Sequence, residues 1–156
     1  MAGAAENIAF ASQQQSNTSL DALNGSTFCD STSGSMIMTS DSDDAGWVPA
    51  NKGILKCETS VGKNRVKLGG GVLKCHSKMA SAFFKAKDFD EEGCETTNTG
   101  GSGAFDKYTK TATKLAGGAC LTVPCQSLAN QTAEGTSDTN TLDGLNGLVY
   151  PCNLGP

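Results

Sequence analysis

Histidine and tryptophan each occur once in this chain, and aromatic residues make up only 6% of its 156 positions. With one histidine and no Cys-x-x-Cys, Cys-x-x-Cys-His or Cys/His zinc pattern, the sequence offers no zinc module, no c-type haem attachment and no thioredoxin-like pair. The lone histidine also has no nucleophile placed by spacing for a Ser/His/Asp constellation, so no catalytic residue is assigned and an enzyme is not expected. No apolar run approaches the length of a membrane span, so none is expected. The opening Met1-Ala2-Gly3-Ala4-Ala5-Glu6-Asn7-Ile8 lacks the basic and apolar regions of a signal peptide, and we expect the numbering to describe a mature or trimmed product.

Few aromatics and a hydrophobic content of 37% leave a lean core that needs covalent help. Seven cysteines supply it. Their spacing suits a disulfide framework formed in an oxidising compartment, extracellular or at the cell surface, and the odd count leaves at least one thiol free or paired between chains. The length suits one compact unit, divided here into an N-terminal helix-turn-strand segment (1–45), a disulfide-stapled helical hairpin (46–125) and a C-terminal helix-turn-strand segment (126–156).

The strongest periodic signal lies in residues 50–87. Ile54, Cys57, Val61, Leu68, Val72, Cys75, Met79 and Phe83 recur at 3.6-residue spacing, with Leu55, Leu73 and Phe84 widening the stripe. Pro49 and Asn51 suit the start of such a helix, and Gly69–Gly71 would kink it. Lys56, Lys63, Lys67, Lys74, Lys78 and Lys85 form a basic line on roughly the opposite face. The acidic cluster Asp88 to Glu92 suits the N-terminus of a second helix carrying Cys94, Phe105, Tyr108, Ala112, Leu115 and Ala119, with a break at Thr99 to Gly103.

Antiparallel packing about a turn near residue 88 sets Cys57 opposite Cys120, with Cys125 as the substitute partner. Cys75 with Cys94 is the next pairing, and it requires the loop to fold back, because the two lie at different distances from the turn. A third helix is expected over Gln126 to Asn146, closed by Asn146-Gly147, followed by a strand at Leu148, Val149 and Tyr150.

The phrase Asn17 to Cys29 returns, altered, at Asn140 to Cys152. In the first copy a strand at Ser26 to Cys29 has a hairpin partner in Ser35-Met36-Ile37-Met38-Thr39. The second copy has no such continuation. The fold class expected is therefore mainly α: a disulfide-stapled antiparallel helical hairpin with flanking helices and a few short β-strands near both ends.

Other candidates for chemistry are weaker. His76 and Met79 have the spacing of a ligand pair but read better as part of the helix stripe and its edge. Asp138, Asn140, Asp143 and Gly144 echo a calcium loop whose later positions are missing. Cys120 and Cys125 read as structural rather than redox-active. We assign no metal and no cofactor.

Lys56-Cys57, Val61 to Leu68, Lys74-Cys75-His76-Ser77-Lys78, the Ala/Phe run to Lys87, Phe89 to Glu95, Lys107-Tyr108 and Leu115 to Cys125 together resemble a cysteine-rich helical-hairpin module of secreted or surface proteins from environmental bacteria. The resemblance covers roughly residues 45–152 and departs from the module at the glycine runs and at Pro151. It implies helices, disulfides and export, and no activity.

The leading functional expectation is an extracellular structural subunit joining head to tail with copies of itself into a filament or surface array. The joint would be strand addition, with intersubunit candidates Met36, Ile37, Met38, Leu148, Val149 and Tyr150 and a covalent lock at Cys29 or Cys152. The alternative is a monomeric secreted binding module using the lysine face for an acidic glycan, nucleic acid being the less favoured ligand in the absence of an arginine cluster.

Overall fold

Asn51 starts the dominant element by turning its side-chain Oδ1 onto the free amides of Gly53 and Ile54, at 2.8 and 3.1 Å. From there α1 runs over Lys52–Phe84, 33 residues, or about 50 Å at the helical rise. The computed structural model describes residues 23–31, 36–37, 46–96 and 100–149. Beyond α1 it contains α2 (Glu91–Glu95), α3 (Ala104–Ala116), a 3₁₀ turn (Pro124–Gln126) and α4 (Leu128–Val149). Residues 23–27 form a further helical turn. The protein is thus mainly helical.

Three facing pairs show that α3 returns antiparallel along α1: Gly71 meets Ala104, Asn64 Nδ2 donates to the Tyr108 carbonyl, and Cys57 is bonded to Cys120. By contrast α4 runs parallel to α1, with Arg65 reaching Glu134 and Asp138 and Gly69 lying beside Leu142. The core divides in two along α1. One cluster holds Ile54, Cys57, Val61, Cys120 and Val123, and the other holds Leu68, Val72, Tyr108 and Ala112.

Only one flank of the long apolar stripe is buried. Leu55, Leu73, Phe83 and Phe84 remain exposed, because α3 and α4 both pack on the side marked by Ile54, Val61, Leu68 and Val72. The helix continues without a break through Gly69–Gly71. Gly71 serves close approach, since a Cβ there would stand 2.8 Å from that of Ala104.

Three disulfides tie the helices: Cys29–Cys125, Cys57–Cys120 and Cys75–Cys94. Cys125 is therefore the partner of Cys29, and Cys29 is closed within its own chain rather than held for a neighbouring subunit. The expected strand at Ser26 to Cys29 is also absent. Ser26 Oγ and Thr27 Oγ1 donate back to the Leu23 carbonyl, at 3.1 and 2.7 Å, and hold this segment in its helical turn.

Met36–Ile37 (β1) pairs with Gly46–Trp47 (β2) in a two-residue antiparallel ladder, so its partner is not the segment at Thr27 to Cys29. At the other end α4 continues through Asn146 and Gly147 to Val149, which removes both the expected helix cap and the strand at Leu148 and Val149. Short β-strands at both ends are thus not a feature of the described fold. Met38, Tyr150 and Cys152 lie outside the described residues.

A tight crossing fixes α3 on α4. The Tyr108 ring lies over Gly135, where an added Cβ would come within 2.3 Å of the ring, and the Tyr108 hydroxyl donates to the Gln131 carbonyl at 2.5 Å. Gly135→Ala should therefore destabilise the fold by about 1–3 kcal/mol through overpacking, despite alanine's better helix propensity. Urea denaturation checks this. An unchanged or higher midpoint would mean that the crossing is looser than the structure shows.

Candidate functional site: a lysine-lined groove and an imidazole-carboxylate cluster

A groove of about 630 Å³ runs between α1 and α3. Lys67, Lys74 and Lys78 line it from α1 and Lys107 from α3, with Phe89 and Asp90 at the end where the chain enters α2. Leu68, Cys75 and Tyr108 also border it and are largely buried. The lysines occupy the rim because the 3.6-residue repeat sets positions 67, 74 and 78 beside the buried stripe, facing the returning helix. All six lysines of the basic line are exposed. Lys56, Lys63 and Lys85 do not border the groove; Lys63 borders a second, apolar depression with Thr27, Phe28 and Val66.

Next to the Cys75–Cys94 disulfide, the residues that follow each cysteine meet. His76 Nε2 of α1 lies 2.6 Å from Glu95 Oε1 of α2, 3.6 Å from Glu91 Oε1 and 3.9 Å from Asp143 Oδ1 of α4. Asp90 positions α2 by accepting a hydrogen bond from Gly93 N, at 2.9 Å, and the i, i+4 spacing puts Glu91 and Glu95 on one face.

His76 and Glu95 are only 1% and 2% exposed. Asp143 forms the outer side, its side chain 53% exposed. Although His76 Nε2 and Glu95 Oε1 nearly touch, they lack the alignment of an N–H···O hydrogen bond, and neither atom has another hydrogen-bond partner. Burial, followed by the charges of Glu91, Asp143 and Glu92, pushes the Glu95 carboxyl up to about 7. Burial also raises Glu91, partly offset by attraction to His76.

The sequence reading missed this cluster. Its signals were present: Glu91 and Glu95 at i, i+4, and a histidine and a glutamate each following one cysteine of a candidate pair. His76, at the edge of the apolar stripe, is buried. Nor do Asp138, Asn140 and Asp143 form a calcium loop. They lie along α4, where Asp138 grips Arg65 with both oxygens at 2.8 Å and Asp143 points to His76. Cys120 and Cys125 are each bonded elsewhere and do not pair with one another.

A second group, Cys29, Glu58 and Cys125, also brings candidate ligand atoms together, but its sulfurs are tied to each other. Glu58 is structural. Its Oε1 accepts from the amides of Cys29 and Asp30, at 3.1 and 3.2 Å, anchoring the N-terminal turn to α1.

No helix among the described residues is long and apolar enough to cross a membrane. Comparison with family models, curated proteins and solved structures finds no match for the chain.

Proposed function

We propose that this protein is a secreted binding module that holds an acidic glycan in the groove between α1 and α3. The observation carrying this reading is the convergence of Lys67, Lys74, Lys78 and Lys107 on one concavity in a chain whose net charge is −4. Four ammonium groups around a groove create a local positive field against an acidic background, and long flexible lysines suit spaced carboxylates or sulfates. Three disulfides fit an oxidising compartment.

Titration with a uronic-acid oligosaccharide tests the reading. We expect binding that weakens steeply as salt is raised from about 50 to 200 mM, since exposed charge pairs are screened on that scale. Replacing the four lysines with glutamine should weaken it roughly 10-fold, as four charge contacts of about 0.4 kcal/mol each sum to about 1.6 kcal/mol, and about 1.4 kcal/mol is tenfold. Equal or tighter capture of a single-stranded oligonucleotide of the same charge would favour nucleic acid instead.

Self-assembly remains a second proposal, now with a different joint. Leu55, Val66, Leu73 and Phe84 are 47%, 73%, 47% and 90% exposed and recur at steps of eleven, seven and eleven residues, which aligns them along one side of α1. A second copy covering this line would replace the strand addition that the helical Leu148 and Val149 and the closed Cys29 do not offer. A monomeric mass by sedimentation at high concentration would count against it.

A further inference from the structure

We propose that His76, Glu91, Glu95 and Asp143 bind a divalent transition-metal cation of the Zn²⁺ or Mn²⁺ type, through the imidazole Nε2 and one oxygen of each carboxylate. The site goes beyond the glycan-binding groove and does not depend on it.

Four observations carry the assignment. The residues come from three separate elements, α1, α2 and α4, so their meeting is a product of the tertiary fold and not of a local run of acidic residues. One ligand atom each from His76, Glu95 and Asp143 lies within 4.8 Å of the others. Ligands held about 2.1 Å from a tetrahedral ion stand about 3.4 Å apart. The 3.6 and 3.9 Å separations from His76 to Glu91 and Asp143 are close to that edge length. The 2.6 Å approach of Glu95 is shorter, and a small outward movement would accommodate an ion between the two groups.

The second observation concerns unmet bonding. His76 Nε2 and Glu95 Oε1 are buried, lie 2.6 Å apart and have no hydrogen-bond partner. Buried polar atoms are nearly always satisfied, and a cation accepting a lone pair from each would satisfy both at once.

Third, three carboxylates surround one imidazole, so their ionised forms leave excess negative charge in a largely dry place. A dication offsets that charge where a proton cannot reach all the oxygens.

Fourth, the Cys75–Cys94 disulfide immediately precedes His76 and Glu95 in both strands of chain and staples the two innermost ligands together. Half-exposed Asp143 leaves the outer side open for the ion to enter and for water to complete its coordination. One imidazole with three carboxylates suits Zn²⁺ or Mn²⁺. An imidazole in the innermost position disfavours Ca²⁺, and the absence of a thiolate disfavours Cu⁺.

The experiment is calorimetric titration of the tag-free, oxidised full chain, stripped by chelator, with Zn²⁺, Mn²⁺ and Ca²⁺ separately. We expect one Zn²⁺ or Mn²⁺ per chain, with Ca²⁺ bound much more weakly. Asp143→Asn, at the exposed side of the cluster, should preserve the fold and weaken binding roughly 10- to 100-fold, with Glu95→Gln weakening it at least as much. The far-ultraviolet spectrum and melting temperature of each metal-free variant report folding separately. The imidazole nitrogen resonances of His76 should shift on addition of Zn²⁺, whereas glutamine at the four groove lysines should leave ion binding unchanged. Absence of stoichiometric binding, binding unaffected by both ligand variants, or preference for Ca²⁺ would each overturn the proposal.

Discussion

Arg65→Ala should cost the fold about 3–5 kcal/mol, because removing one partner from a buried ion pair leaves the other charges uncompensated. Arg65 is the only arginine in the chain, and its side chain is 5% exposed. Its Nε and Nη2 each reach one oxygen of Asp138 at 2.8 Å, while Nη1 reaches Glu134 Oε2 at 3.2 Å. Nη1 also contacts Ser26 Oγ, Thr27 Oγ1 and the Leu23 carbonyl.

One guanidinium therefore joins α1, α4 and the N-terminal turn. Burial already pushes the Glu134 carboxyl up, with Arg65 opposing the shift. Without Arg65, that carboxyl and Asp138 face each other in a partly dry site. Arg65→Lys should recover only part of the loss, because an ammonium cannot make the two-point contact with Asp138. Urea denaturation of both variants gives the comparison. A loss below about 1 kcal/mol for alanine would place this network among weak surface pairs.

The second large effect is expected at Cys29–Cys125. Its partners are 96 positions apart, the longest span of the three disulfides. With Cys57–Cys120 nested inside it, the bridge still closes a loop of roughly 30 residues in the unfolded chain, and replacing both cysteines with serine should destabilise the protein by about 2–5 kcal/mol.

The loss should also be local. Gln126 Nε2 donates to the carbonyls of Ser26 and Thr27, both at 2.9 Å, and Glu58 accepts from Cys29 N and Asp30 N. These bonds hold a segment that lies apart in sequence from the helices it meets. In the double-serine variant, the backbone amides at position 29 and of Asp30 should exchange with solvent well before those of the middle of α1. Retained protection at these amides, together with a stability loss below about 1 kcal/mol, would show that the hydrogen bonds alone anchor the turn.

Local periodicity made α1 legible, since Ile54, Cys57, Val61, Leu68 and Val72 repeat at helical spacing and are all buried. It did not reveal which flank of the stripe would be covered. Leu73 and Val72 are neighbours of similar chemistry, and only the directions of α3 and α4 make one exposed and the other buried. Cys57–Cys120 follows from antiparallel register, a relation between two adjacent long segments.

Cys29–Cys125 depends on the path of an N-terminal segment with little apolar patterning, and no periodicity predicts that path. The repeated phrase illustrates the same limit. Its first copy gives a helical turn at 23–27 followed by non-helical residues, whereas the second stays helical to Val149 as part of a long helix packed on α1. The imidazole-carboxylate cluster was hidden for a related reason. Its residues span positions 76 to 143, and they converge only because α2 folds back after α1 and α4 runs parallel to α1.

The groove reading is tested most directly by mapping amide chemical shifts during titration with a uronic-acid oligosaccharide at low salt. The largest shifts should fall on Lys67, Lys74, Lys78, Lys107 and their neighbours, saturating together and collapsing as salt is added. Saturable shifts confined to another surface, or no shifts at millimolar oligosaccharide, would contradict the assignment of this groove as the binding site.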